Sequence, residues 1–153
     1  AGADAVFNSC SSVGEAADMM REMIDIPVVK IDERMAEDAV SIGDRVAVVA
    51  TLPTTLDPTV RLVQRKAQKA GKQIAVNRYL VSGAFDVLMS GDSQKHDQMV
   101  SAEIERAIQE SDVVILAQAS MARLAPQLEG KTSVPLLTSL STAVEELAKA
   151  LQE

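Results

Sequence analysis

Apolar positions along the chain switch repeatedly between short continuous runs and a three-to-four-residue spacing, and each switch marks a change from strand to helix. Ala5 to Asn8, Ile26 to Ile31, Arg45 to Ala50, Lys72 to Asn77, Asp112 to Ala117 and Val134 to Thr138 read as six short strands. Arg45 to Ala50 is a run of the kind buried on both faces of a parallel sheet. Between Glu15 and Ile24, helical spacing places Ala16, Met19, Met20, Met23 and Ile24 in one stripe opposite Asp18, Arg21 and Glu22, and the methionines read as core filler. Asp32 caps a helix ending at Gly43, and Asp57 with Pro58 opens one that runs to about Ala70. A short helical piece spans Gly83 to Gly91, and a longer helix runs from about Ser93 to Gln109. Ser120 caps a helix that Gly130 ends, and Thr142 with Glu145 has capping-box spacing for an amphipathic helix through Leu151. Strands alternating with helices predict an α/β protein with parallel sheets.

The chain also repeats itself. Asp4-Ala-Val-Phe-Asn-Ser-Cys10-Ser-Ser12 matches Asp112-Val-Val-Ile-Leu-Ala-Gln118-Ala-Ser120 without a gap, and Ile26-Pro27-Val28 falls against Val134-Pro135-Leu136 at the same offset, 112 − 4 = 108. Two strand–turn–helix–strand units share one plan. On that plan, residues 1–43 form the remainder of a first α/β domain, joined by the C-terminal helix 141–153. Residues 44–140 form a second domain with four parallel strands. The counterparts of the strands at Arg45 and Lys72 fall upstream of residue 1, so about sixty residues carrying two strand–helix units are expected before Ala1. Ala1-Gly2-Ala3-Asp4, with no initiator methionine, reads as a helix end running into a strand.

Composition narrows the function classes. The 153 residues are 47% hydrophobic and 24% charged, ordinary for a globular protein that buries a core. A net charge of −7 and 2% aromatic residues argue against a nucleic-acid partner, which needs clustered cations and stacking rings. No apolar run reaches membrane-spanning length, so no membrane partner is expected. A single cysteine makes no internal disulfide, which fits a cytoplasmic location.

The candidate chemistry lies at the carboxyl ends of strands. Cys10 sits in the turn between the first strand and its helix, where ligands bind in α/β sheets and where helical N–H groups favour the thiolate. Ser12 and Glu15 have capping-box spacing there. Thr51-Leu-Pro-Thr-Thr55 follows the apolar strand with three hydroxyls and unpaired backbone N–H groups; it reads equally as a holder of a small anion or as a hydroxyl-capped turn. His96, in Gln94-Lys-His-Asp-Gln98, reads as a solvated helix residue without metal-ligand partners.

The strand ending in Cys10-Ser11-Ser12, the loop Ala50-Thr-Leu-Pro-Thr-Thr55 and the run Val114-Ile-Leu-Ala-Gln118-Ala-Ser-Met-Ala122 together resemble the Asp/Glu/hydantoin racemase superfamily. The resemblance covers the whole chain, which corresponds to the later two-thirds of a member. It implies two similar parallel-sheet α/β domains, the first incomplete here, with a site between them, no metal and no organic cofactor. It implies a small carboxylate, amino acid or hydantoin as substrate, and leaves homo-oligomerisation open. By position, Cys10 matches the first of two family cysteines and Gln118 stands where the second belongs. Asn8, Ser11 and Ser12 around the thiol, Thr51, Thr54 and Thr55 of the loop, and Ala119 and Ser120 beside Gln118 are the implied substrate-binding residues. An amide is neither acid nor base near neutral pH, so symmetric two-thiol racemisation is not expected. Two readings stand: a cofactor-independent isomerase-like enzyme working by proton transfer with one thiol, or, alternatively, a one-thiol decarboxylase or lyase or a non-catalytic carboxylate-binding protein.

Overall fold

The computed structural model describes residues 2–128 and 130–152. Its elements run β1 (Val6–Asn8), α1 (Gly14–Arg21), β2 (Val28–Lys30), α2 (Glu33–Ile42), β3 (Arg45–Ala50), α3 (Pro53–Lys69), β4 (Ala75–Leu80), α4 (Ala84–Met89), α5 (Ser93–Glu110), β5 (Val113–Leu116), α6 (Ala125–Leu128), β6 (Leu136–Thr138) and α7 (Leu140–Ala150). Strands β1 and β2 form a two-stranded parallel sheet, and a four-stranded parallel sheet has the order β4-β3-β5-β6.

The four-stranded sheet carries the core, and its pleat explains the uninterrupted apolar runs. Val46, Val48, Ala50, Val113 and Ile115 face Met35, Ala39, Leu56, Val60 and Val63 of α2 and α3. The alternate residues Ala47, Val49, Val114 and Leu116 face Val100, Ile104, Met121 and Leu124 on the other side. Both faces are covered, so every position of β5 is buried.

The repeat is visible in strand register. Val6, Phe7 and Asn8 pair with Val28, Val29 and Lys30; Val114, Ile115 and Leu116 pair with Leu136, Leu137 and Thr138. Each residue of the first set lies 108 before its counterpart (114 − 6, 136 − 28), the offset found in the sequence.

Several expectations change on contact with the structure. The α1 stripe is reversed: Met19, Met20 and Met23 are exposed, and only Gly14 and Ala17 of α1 are buried. The polar side of α1 meets its neighbours through ion pairs. Asp18 accepts both oxygens' bonds from the buried Lys30 Nζ at 2.9 Å, and Glu15 meets Arg61 and Arg65 of α3 at 2.8 and 3.1 Å. Helix α3 begins at Pro53 rather than at Pro58, since Leu52 is extended and Pro53 takes the first helical position; Pro58 lies inside the helix. The capping boxes at Ser12/Glu15 and Thr142/Glu145 do not form. Ser12 bonds elsewhere, Glu15 is drawn to the arginines, and α7 already starts at Leu140. Ser120 lies in a 3-10 turn, Ala119–Leu124, ahead of α6. Strand β4 sits three residues later than read, because Arg45 pairs with Ala75. The helix stop read over Ala1 to Asp4 includes Ala1, and the helices read from Ser120 to Gly130 and over 141–153 include Glu129 and Glu153; these three lie outside the described residues.

His96 is fully buried rather than solvated. It shares the inward stripe of α5 with Val100, Ile104 and Ala107. Its Nδ1 is 2.8 Å from Asp97 Oδ1, and Asp97 also pairs with Arg123 at 2.7 Å. Gly43, read as a helix stop, has an extended backbone and is needed for a different reason: a Cβ there would lie 2.4 Å from Asp112 Cβ. That close approach lets the Asp112 carboxylate accept the Arg45 main-chain N–H at 2.9 Å and the Arg45 guanidinium at 2.6 Å. These bonds hold its carboxyl below the usual aspartate range.

Candidate active site

Cys10 and Gln118 occupy the same place in the two repeats, and their backbones agree. Each is extended, at φ −132°, ψ 114° and φ −130°, ψ 138°, and each precedes a 3-10 turn. Each turn is closed by the same bond, Val13 N–H to the Cys10 carbonyl at 3.2 Å and Met121 N–H to the Gln118 carbonyl at 3.0 Å. The side chains differ in setting. Cys10 is exposed, whereas Gln118 is half-buried.

The threonine loop lies between these turns and bonds to both. On one side, Ser12 Oγ donates to the Thr54 carbonyl at 2.7 Å. Pro58 accounts for this bond: in a helix the N–H of residue 58 would bond the carbonyl of residue 54, and proline has no N–H. The Thr54 carbonyl is thus left open within the helix and is taken by the Cys10 turn. On the other side, Thr51 donates to Gln118 Oε1 twice, from its main-chain N–H at 2.5 Å and from its hydroxyl at 2.9 Å.

Of the remaining residues singled out in the sequence, Ser11 and Thr51 are buried, Thr55 and Ser120 are half-buried, and Thr54 and Ala119 are exposed. Asn8 ends β1, and its Oδ1 is buried without a hydrogen-bond partner among the described residues. Sequence reasoning missed the roles of Pro58 and of the Thr51–Gln118 contact. The signal for the first was present, a proline four residues after a threonine in the candidate loop; the second needed the fold.

A concavity of about 600 Å³ lies elsewhere. Its lining includes Arg21, Pro27, Glu33, Arg34 and Lys149, and neither Cys10 nor Gln118 is among it. Several of its charged groups are already paired, Arg21 with Glu33 at 2.5 Å, Arg34 with Asp38 at 2.9 Å and Lys149 with Glu146 at 2.8 Å. The bonded turns and loop are the better candidate.

Comparison with known proteins bears on the family and the fold. The family model described as Asp/Glu/Hydantoin racemase matches residues 1–147. A hydantoin racemase of Rhizobium meliloti is 26% identical over 133 residues, covering 86% of this chain. The chain spans about half of that relative's length, 53%. An allantoin racemase from Klebsiella pneumoniae superposes with a TM-score of 0.71 at 24% identity, over 99% of this chain and 60% of that one. A glutamate racemase from Bacillus anthracis superposes with a TM-score of 0.74 at 17% identity, over 97% and 58%. The two superpositions show the fold alone. No helix among the described residues is long and apolar enough to cross a membrane.

Proposed function

The chain belongs to the Asp/Glu/hydantoin racemase family, and from that premise we propose that it carries out cofactor-independent proton transfer at a carbon of a small carboxylate, amino acid or hydantoin. Cys10 is the one thiol acting as base or acid, and Gln118 donates hydrogen bonds to the oxyanion that develops as the carbon loses its proton. Thr54 and Thr55, with the first turn of α3, hold the substrate's anionic group. Asn8, Ser11, Ser12, Ala119 and Ser120 line the two approaches. In domain terms, residues 1–43 and the helix 141–153 act as one unit and residues 44–140 as the other; the packing of α7 on β2 supports this division, whereas α2 packs on α3 and β5 of the second unit.

The observation that carries the reading is the loop bonded to both turns, Ser12 to Thr54 and Thr51 to Gln118, because it ties together three segments far apart in sequence. A second reading is favoured by Gln118 itself. With no second thiol, the protein protonates one face only, as a one-thiol decarboxylase or lyase does, or binds the carboxylate without turning it over.

Incubating the protein in deuterium oxide with a panel of amino acids, hydantoins and substituted malonates tests these readings. Exchange at the carbon next to the carboxyl or carbonyl supports the first, and carbon dioxide release from malonates supports the second. Binding with neither leaves a carboxylate-binding protein. Iodoacetamide adds an independent check, since a Cys10 that reacts slowly at mildly acidic pH counts against any enzyme.

A further inference from the structure

We propose that Thr51 is a positioning residue that fixes the polarity of the Gln118 amide, so that the second turn presents hydrogen-bond donors and recognises an acceptor, a carboxylate or enolate-type oxygen, on the ligand. The inference rests on the site assignment above and adds to it what the second turn can bind.

The argument begins with the Thr51 main-chain N–H. A backbone N–H only donates, so the Gln118 atom 2.5 Å from it has to be the oxygen. A flipped amide would set N–H against N–H and leave a donor of a buried residue unsatisfied. The Thr51 hydroxyl, 2.9 Å from the same oxygen, could in isolation donate or accept; with the oxygen already fixed, it donates. Gln118 Oε1 thus receives two hydrogen bonds, and the Nε2 amide group, on the far side of the same planar carboxamide, is left to donate. Two donors on the oxygen also polarise the amide and strengthen its N–H groups as donors.

Two consequences follow for the ligand. The Thr51 N–H and hydroxyl are both committed to Gln118, so the anion-holding part of the loop contracts to Thr54 and Thr55. A ligand that offers an N–H at the second turn meets donors and is disfavoured, whereas one that offers an oxygen is matched.

Uniformly ¹⁵N,¹³C-labelled full chain permits a direct test. A through-hydrogen-bond scalar coupling between the Thr51 amide nitrogen and the Gln118 Cδ is expected in the free protein. Its absence overturns the inference whatever the exchange assays show. On titration with malonate, the Gln118 Nε2 protons are expected to shift downfield, and site resonances that stay still or move without them overturn the acceptor assignment. Thr51→Val keeps the N–H but loses the hydroxyl, and is expected to weaken malonate binding about fivefold, with Thr51→Ser restoring it to within about twofold. Equal loss in Val and Ser variants argues for packing instead of positioning. Gln118→Glu keeps one oxygen for Thr51 and replaces the amino group by a second oxygen. It is expected to retain the coupling and weaken malonate binding about tenfold or more, and undiminished binding overturns the inference. A coupling that is present in a protein exchanging no substrate leaves the positioning intact and overturns the functional reading alone.

Discussion

The Cys10 turn and the Gln118 turn are built on the same backbone, with the same register, the same dihedrals and the same closing bond, yet they are held in place by different forces. The Gln118 turn stands on β5, which is wholly buried, and is followed by Met121 and Leu124, both in the core. The Cys10 turn stands on a two-stranded sheet in which Phe7 is exposed, and is followed by α1, whose methionines face outward. Among the described residues, the Gln118 turn is backed by apolar packing, and α1 after the Cys10 turn meets its neighbours through ion pairs. Lys30 is buried and pairs with Asp18, and the positions 108 residues on are Thr138 and Pro126 (30 + 108, 18 + 108). A duplicated plan fixes the path of the chain through a turn, and the side chains beneath it set what the turn responds to.

The largest test of the comparison is chemical. Cys10→Ser is expected to lower any proton-exchange or decarboxylation activity by about 10³-fold with unchanged circular dichroism, since a hydroxyl at this position has no accessible anion near neutral pH. The same logic applied to the other turn makes Gln118→Cys the gain-of-function counterpart. In a protein that protonates one face, a second thiol on the same backbone should introduce measurable racemisation, read as loss of optical rotation in the product. A folded Gln118→Cys variant that yields a single enantiomer would show that residue 118 does not reach the second face.

Next in size is the ionic support of the first unit. Asp18→Ala leaves the buried Lys30 ammonium without its carboxylate, and an expected loss of about 3 kcal/mol follows from stranding a charge in the interior. Pro126→Ala, at the equivalent exposed position of the second unit, is expected to change stability by about 0.5 kcal/mol or less. Urea denaturation of both variants compares them directly, and similar losses would mean that the charge pair is not what holds α1.

How far these features could be read in advance follows the same division. The four-stranded sheet announced itself because β3 and β5 are buried on both faces and therefore read as uninterrupted apolar runs, and the repeat was visible because Asp4, the apolar run after it, Ser12 and Pro27 recur with their spacing intact. The α1 stripe misled, because helical periodicity shows that two faces differ and not which one meets the rest of the chain; Glu15, Asp18 and Arg21 turn to their neighbours through ion pairs with Arg61, Arg65, Lys30 and Glu33. His96 was hidden by its polar neighbours, although its spacing to Val100, Ile104 and Ala107 is that of a buried stripe. At the candidate site, Cys10, the threonines and Gln118 stood out as residue types. The bond that joins Thr51 to Gln118 did not, since it crosses two sheet-end turns and depends on β3 lying beside β5.

Acid should separate the two units further. Burial alone would raise the Glu33 carboxyl, but hydrogen bonds from Arg21 and Lys66 outweigh it and hold the group at about 2, against 4.5 for a free side chain. A carboxyl depressed in the folded state stabilises fully above its unfolded value and loses that contribution as pH falls towards the folded one. The contribution of Glu33 is therefore expected to fade between about pH 5 and pH 2. Glu33→Gln removes the titrating group, so the gap in urea midpoint between parent and variant should be widest near neutral pH and close across this window. A gap that stays constant with pH would assign the effect of the substitution to shape rather than charge.

The smallest expected effect concerns the single hydrogen bond by which the Cys10 turn grips the threonine loop. Ser12→Ala removes the donor to the Thr54 carbonyl and should cost about 1 kcal/mol. The carbonyl is open to Ser12 only because Pro58 supplies no helical N–H, so Pro58→Ala gives it a competing partner within α3. In that background the same Ser12→Ala change should cost less, with a coupling between the two sites of about 0.5–1 kcal/mol in a double-mutant cycle. Ser12 stands two residues after Cys10, so the cycle has a second readout: Pro58→Ala alone, by loosening the turn without touching the thiol, should change the rate of Cys10 alkylation in the same direction as Ser12→Ala. If Ser12→Ala costs as much with alanine at position 58 as with proline, the proline does not hold the two halves of the site together, and the anchoring of the Cys10 turn has to be sought in the Glu15 and Asp18 ion pairs instead.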